Sequence, residues 1–336
     1  MEKWRSLLKS DPVDWLLESD NPSVKYFTLV DILDRADDDS EVIETKGQII
    51  KVGTVPKILA KQENGGYWGR PEDFYIRSKY KGTVWQLLIL AEFGANGSDK
   101  RVRRACEFIL ENSQDRQSGG FAYIGSKKNG GQHGGVIPCL TGNMVWSLIR
   151  LGRLEDPRVQ RGIDWIVRYQ RFDDGVGRAP EGWPYRKYDN CFGKHSCHMG
   201  VVKALKALAE IPKDRRDQRV KVVIEKGAEY LLAHYIYKRS HDLSRISKPG
   251  WLRFGFPRMY NTDVLEILSI MTDLGYRDKR MQEAVDLVVS KQDAQGRWEL
   301  EDTFNGRFQV NIERKDKPSK WVTLNALRVL KRYYKS

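Results

Sequence analysis

Two kinds of helical pattern alternate along this chain. One kind is apolar on most sides: KGTVWQLLILAEFG, CLTGNMVWSLIRLG, CHMGVVKALKALAE, NTDVLEILSIMTDLG and KWVTLNALRVLKRY. Helices that are hydrophobic all round predict burial on both faces. The other kind opens on charged residues and runs with a 3.6-residue amphipathic period: DKRVRRACEFILENSQ, DPRVQRGIDWIVRYQ, QRVKVVIEKGAEYLLAHY and DKRMQEAVDLVVSKQ. These predict an outer layer with one buried stripe each. Asp99, Asp156 and Asp278 stand where N-caps are expected, and Gly94 and Gly152 where helices end. Strand-type alternation is scarce, so the chain reads as all-α.

The pattern repeats. Cys191 follows His133 by 58 residues and Cys197 follows Cys139 by the same interval (191 − 133 = 197 − 139 = 58), as Gly152 follows Gly94. The Cys139–Gly142 step recurs as Cys197–Gly200. After each outer helix comes a loop rich in glycine and aromatic residues: QENGGYWG (62–69), QDRQSGGFAY (114–123), QRFDDGVGRAPEGW (170–183) and QDAQGRW (292–298). In the last, Gln292, Gly296 and Trp298 are spaced Q-x-x-x-G-x-W.

That spacing resembles the QW motif of squalene and terpene cyclases. The segment HSCHMGVVKALKAL (195–208) resembles the inner-helix start of protein prenyltransferase β-subunits. Over roughly residues 25–336 the resemblance implies an α/α toroid of about five helix pairs, inner helices ringed by outer ones. The chain is then one domain, 1–336, with 1–24 a lead-in. An open solenoid of helix pairs is the alternative; the ring is favoured because solenoid repeats are usually shorter and lack such a loop.

In a ring, equivalent ends of neighbouring inner helices share one rim, their axes about 8–10 Å apart. His133, Cys139, Cys191 and Cys197 would then converge as a Cys3His set, and thiolates with imidazole suit tetrahedral Zn²⁺. His195 and His198, in DNCFGKHSCHMG, are alternatives to His133 or catalytic groups. Prenyltransferases bind catalytic zinc through Asp-x-Cys on one inner helix and His on a neighbour. Here Asp189-Asn190-Cys191 resembles the first and His195-Ser196-Cys197 the second, yet both lie in one repeat. Cys106, on an outer helix, reads as a structural residue.

Composition adds an anionic partner. Lys and Arg exceed Asp and Glu by 13, without a dense basic block. Trp251, Arg253, Arg258 and Tyr260 crowd the segment before Asp263, and Lys79 occupies a comparable place earlier. Aromatic rings with fixed cations suit a ligand with an apolar body and an anionic head. Asp263 opens an inner helix, as an N-cap or a cavity-facing acid. The D-x-D-D acid of class II cyclases is absent, Asp37-Asp38-Asp39-Ser40 lacking its last carboxylate. No phosphate-loop, dinucleotide or serine-hydrolase motif appears. With no signal-peptide pattern and four cysteines, reduced thiols in the cytoplasm are expected. No apolar run is long enough to cross a membrane.

These readings converge on a zinc-binding toroid that binds or transforms an isoprenoid-like or other apolar–anionic small molecule. Catalytic candidates are Asp263, Asp189 and His195. The alternative is a non-catalytic, zinc-stabilised scaffold whose basic rim binds a protein or anionic polymer. Nucleic acid is not expected, since it rests on charge alone.

Overall fold

The computed structural model describes residues 3–175 and 178–335. Twelve α-helices of six residues or more are seen among them: α1 Pro22–Phe27, α2 Ser40–Gln48, α3 Thr54–Leu59, α4 Thr83–Glu92, α5 Lys100–Asn112, α6 Pro138–Arg150, α7 Pro157–Tyr169, α8 His198–Ala209, α9 Gln218–Ala233, α10 Val264–Asp273, α11 Gln282–Ser290 and α12 Lys320–Tyr333. Two short antiparallel hairpins are the only sheets among the described residues, Gly125–Ser126 with Gly130–Gly131 and Lys238–Arg239 with Asp242–Ile246. The all-α expectation holds. The chain divides into two compact units, residues 1–58, 231–258 and 262–336 in one, and 59–230 with 259–261 in the other.

In the second unit, α6 packs along both α4 and α8. These are the helices whose sequences are apolar all round. Every residue of α4 from Thr83 to Ala91 is buried, as is α6 from Leu140 to Ile149. The amphipathic α5 and α7 pack on them with one stripe, Val102, Ala105, Cys106 and Ile109 in α5 and Val159, Ile163 and Ile166 in α7. The first unit repeats the plan with α10 against α12 and α11. It also contains a pair absent from the sequence pattern: α1 with the π-turn Thr28–Ile32, packed on α2 and α12. Pro22 and the polar Asp31 interrupt the apolar periodicity there, which hides the helix.

Three of the four loops after the outer helices staple a neighbouring segment, while Gln170 donates only to the adjacent Arg171 carbonyl. Gln62 Nε2 donates to the Arg101 carbonyl at 2.9 Å, Gln114 Nε2 to the Arg158 carbonyl at 2.6 Å, and Gln292 Nε2 to the Leu7 carbonyl at 3.1 Å. A positive-φ glycine follows in each of the three, Gly66, Gly119 or Gly296, pressed on the carbonyl three residues further along the same neighbour: Arg104, Arg161 or Ser10. The loop aromatic then donates its backbone N–H to a threonine of its own inner helix, Trp68 to Thr83, Phe121 to Thr141 and Trp298 to Thr323. Trp68 and Trp298 are fully buried. Gln62, Gly66 and Trp68 have the Q-x-x-x-G-x-W spacing too.

Candidate metal centre and aromatic rim

The structure places three of the four cysteines near the starts of α6 and α8, their three sulfurs not all within 4.8 Å of one another. Cys139 is the second residue of α6, and Cys197 is the N-cap of α8. The close approach depends on two glycines 58 residues apart (200 − 142 = 58). A Cβ on Gly142 would lie 2.5 Å from the Lys203 backbone, and one on Gly200 would lie 3.2 Å from the Pro138 Cβ and 3.7 Å from that of Cys197. Cys191 comes from the turn Asp189–Phe192, and its thiol hydrogen-bonds that of Cys197. Burial and then the neighbouring Cys197 push the Cys139 thiol up to about 12. The Cys197 hydrogen bond, then burial, then the charges of Cys197 and Cys139 push Cys191 far higher. None of the four cysteines is in a disulfide.

An aromatic box adjoins the thiols. Tyr75 stacks on Trp85 with ring centroids 4.8 Å apart, and Tyr80 and Tyr260 lie 5.3 and 6.1 Å from the same indole. Such pairs add about 0.5–1.5 kcal/mol beyond burial. Lys79 Nζ donates to Tyr260 Oη at 3.0 Å and lies 4.6 Å from its ring centre. Burial pushes the Tyr260 hydroxyl up, but hydrogen bonds to Lys79 and Tyr80 outweigh it and leave the group below the usual tyrosine range. Tyr75 joins the halves, its hydroxyl hydrogen-bonded to the Cys139 thiol; burial, then Cys139, hold it well above that range. Tyr75 and Tyr260 are half-buried and Lys79 is exposed, so the box faces outward.

The histidines are engaged elsewhere. His133 Nδ1 lies 2.7 Å from Asp115 Oδ2, and its ring stacks on Trp183 at 4.0 Å. Asp115 is nearly buried, and although burial raises it, Ser118, His133 and backbone N–H groups bring it below the usual carboxylate range. His198 meets the Tyr230 ring edge-on at 5.5 Å. His195 is exposed and pairs with Asp174 at 3.5 Å. Asp189 is exposed, its carbonyl accepting from Gly193 N–H. The groups acting on the Cys191 thiol are the other two cysteines.

The remaining candidates belong to the first unit. Asp263 caps α10, accepting from Glu266 N–H at 2.8 Å, and its other oxygen accepts from Gly255 N–H at 3.0 Å. Burial raises this carboxyl against the pull of Arg258, whose Nε lies 3.2 Å away. Arg258 is buried between Asp263, Asp302 and the Thr262 carbonyl, so its charge is already met. Trp251 is buried under Lys248, and Arg253 is exposed.

One polar stripe escaped the sequence reading. Cys139, Asn143 and Ser147 follow one another at i, i+4 and i+8 along α6. Lys203 on α8 is completely buried, and its charge acts on Cys139. Gln86 of α4 is also completely buried, and it donates to the Tyr80 carbonyl at 3.1 Å, behind the aromatic box. The signal was present: Gln86 and Asn143 interrupt otherwise apolar runs that are buried on every side.

No family model matches the sequence, and no curated protein does either. Among solved structures the chain is similar to a cellobiose 2-epimerase from Bacillus thermoamylovorans, at 13% identity and a TM-score of 0.45 over 73% of this chain and 70% of that one. A type II terpene cyclase from Scytonema, in complex with geranylgeranyl dihydroxybenzoate, matches at 15% and 0.42 over 94% and 87%. A GH76 α-mannanase from Bacteroides thetaiotaomicron matches at 11% and 0.44 over 94% and 85%. Likenesses this distant bring no activity to this chain.

Proposed function

We propose that Cys139, Cys191 and Cys197 hold a zinc ion and that the box of Tyr75, Tyr80, Trp85 and Tyr260 receives an isoprenoid-like or other apolar–anionic small molecule, with Lys79 at its anionic head. The reading rests on Tyr75, which touches both halves: its hydroxyl meets a thiol while its ring forms the box wall. The donor set suits the metal, since thiolates are preferred ligands of Zn²⁺ and three of them leave a fourth position for a water or a ligand atom. Aromatic faces attract cations, including developing carbocations, and an exposed ammonium attracts a diphosphate. When bound, zinc would supply a Lewis acid beside the box.

Metal analysis of the purified full chain tests the first half, with one equivalent expected and loss in Cys191→Ser. Calorimetric titration with a prenyl diphosphate tests the second. Binding should weaken at least tenfold in Tyr260→Ala and Lys79→Ala and be absent with the prenyl alcohol. A chain that takes up neither zinc nor prenyl diphosphate overturns the reading.

The scaffold reading has its own observation. Lys100, Arg103, Arg104 and Arg153 surround an open cleft of about 590 Å³ on the outer helices, with only Glu107 and Asp156 opposing them. A polyanion that binds with steep salt dependence, and whose binding is lost in Arg103→Ala, would support it over the small-molecule reading.

A further inference from the structure

Cys191 and Cys197 face each other across a tight loop. Phe192 and Ser196 form an antiparallel bridge, and Cys197 N–H donates to the Cys191 carbonyl at 3.2 Å. Cys191 lies in the helical turn Asp189–Phe192, its own N–H going to the Tyr188 carbonyl, so the single Cys197–Cys191 backbone bond and the adjacent isolated bridge are what hold the pair together. The two thiols already share a hydrogen bond, and both residues are half-buried, within reach of small oxidants. The other two cysteines are placed differently. Cys139 is on α6 against the Tyr75 hydroxyl, and Cys106 is buried in α5.

We propose that Cys191 and Cys197 are a redox-active dithiol that closes to a disulfide on two-electron oxidation by a peroxide. One sulfur, after giving up its proton, attacks a peroxide oxygen as the thiolate, giving a sulfenic acid and a hydroxide that takes up that proton as one water. The second sulfur displaces the sulfenic oxygen as another water, and the S–S bond forms. Both thiol protons leave in the waters, the sulfurs are oxidised by two electrons in all, and the peroxide is reduced. The loop already holds the two side chains side by side, their thiols sharing a hydrogen bond. The inference does not depend on zinc, though closing the disulfide removes two of the three sulfurs proposed to hold it.

The test uses the full chain, reduced and stripped with a chelator, then treated with one equivalent of hydrogen peroxide. Thiol titration should show a loss of two thiols, and peptide mapping should join Cys191 to Cys197. Dithiothreitol should restore both. Cys106→Ser, outside the proposed site, should lose the same two thiols as wild type. Cys191→Ser should stop at a sulfenic acid trapped by dimedone, its circular dichroism confirming the fold. A persistent sulfenic acid in wild type, or a cross-link to Cys139, overturns the proposal. Because metal is absent throughout, failure here is separate from failure of the zinc reading, which metal analysis decides.

Discussion

Gly142 of α6 lies directly against the Lys203 backbone of α8, leaving no room for a methyl group between them. The contact is one turn from Cys139 and sets the distance at which the two helix starts bring their thiols together. Gly142→Ala forces a backbone separation, because the nearest atoms are a carbonyl carbon and its oxygen rather than a flexible side chain. Overpacking of this kind costs about 1–3 kcal/mol. Urea denaturation should show that loss, and zinc uptake should fall with it. An unchanged midpoint would mean that the helices do not meet as closely as described.

Lys79 governs the Tyr260 hydroxyl through its hydrogen bond at 3.0 Å. Lys79→Ala should move the Tyr260 ionisation upward, since it removes a group that lowers it while burial remains. Lys79→Arg should keep most of the effect. Ultraviolet titration of phenolate formation reads this, with Tyr260→Phe identifying the signal. A titration unmoved by Lys79→Ala would take the ammonium out of the box.

The alternation of apolar and amphipathic helices was legible because burial on every side and burial on one side leave different periodicities. The matching places of Cys139 and Cys197 at two touching helix starts were legible because Gly142 and Gly200 repeat at the same interval, so the register that spaces these cysteines also lets the helices touch. His133 was not placed by that interval. Asp115 and Trp183, from two different loops of the repeat, hold its ring, and the 58-residue spacing carries no information about such partners. Arg258 read as a ligand-facing cation because its two carboxylate partners, buried Asp263 and half-buried Asp302, lie five and 44 residues further on. Lys203 was passed over because a lysine, even in a largely apolar helix, ordinarily points to water.

Four outer-helix starts share an Asp-x-Arg cap that makes acid stability predictable. Asp99, Asp156 and Asp278 each accept the N–H and the Nε of the arginine two residues on, and Asp217 binds Arg219 through its side chain. The arginine hydrogen bond is the first cause lowering Asp99, Asp156 and Asp278, and the Val220 N–H comes first for Asp217. Asp278 falls from 3.8 to about 2. A carboxylate lowered in the folded state stabilises fully above its unfolded value and loses that contribution as pH falls through the folded one. Arg280→Gln should therefore be less stable than wild type at pH 7. The gap should narrow between 3.8 and about 2, where Asp278 protonates in both. Asp263 and Glu313, raised by burial, respond oppositely but cancel in the comparison. Urea midpoints over that range decide it; a gap constant with pH would assign the effect to arginine packing instead.

Gln292 ties the N-terminal segment to the loop before α12. Its amide donates to the Leu7 carbonyl and accepts from Lys9 N–H, both at 3.1 Å, and Lys9 Nζ donates to the Gln292 carbonyl at 2.6 Å. The side chain is buried, so Gln292→Ala leaves backbone polar groups unmet at a cost of about 1–3 kcal/mol. Gln292→Glu keeps the acceptor for Lys9 and loses the donor to Leu7, so it should retain part of the stability. Gly296→Ala should be worse than either, since its φ is +69° and a Cβ would lie 1.9 Å from the Ser10 carbonyl oxygen. Hydrogen exchange of Leu8 and Lys9 amides, with denaturation midpoints, ranks the three. The staple requires the order Gly296→Ala, Gln292→Ala, Gln292→Glu from least to most stable; a Gln292→Ala protein whose Lys9 amide stays protected would show that the segment is held by Trp4 and Leu16 burial alone.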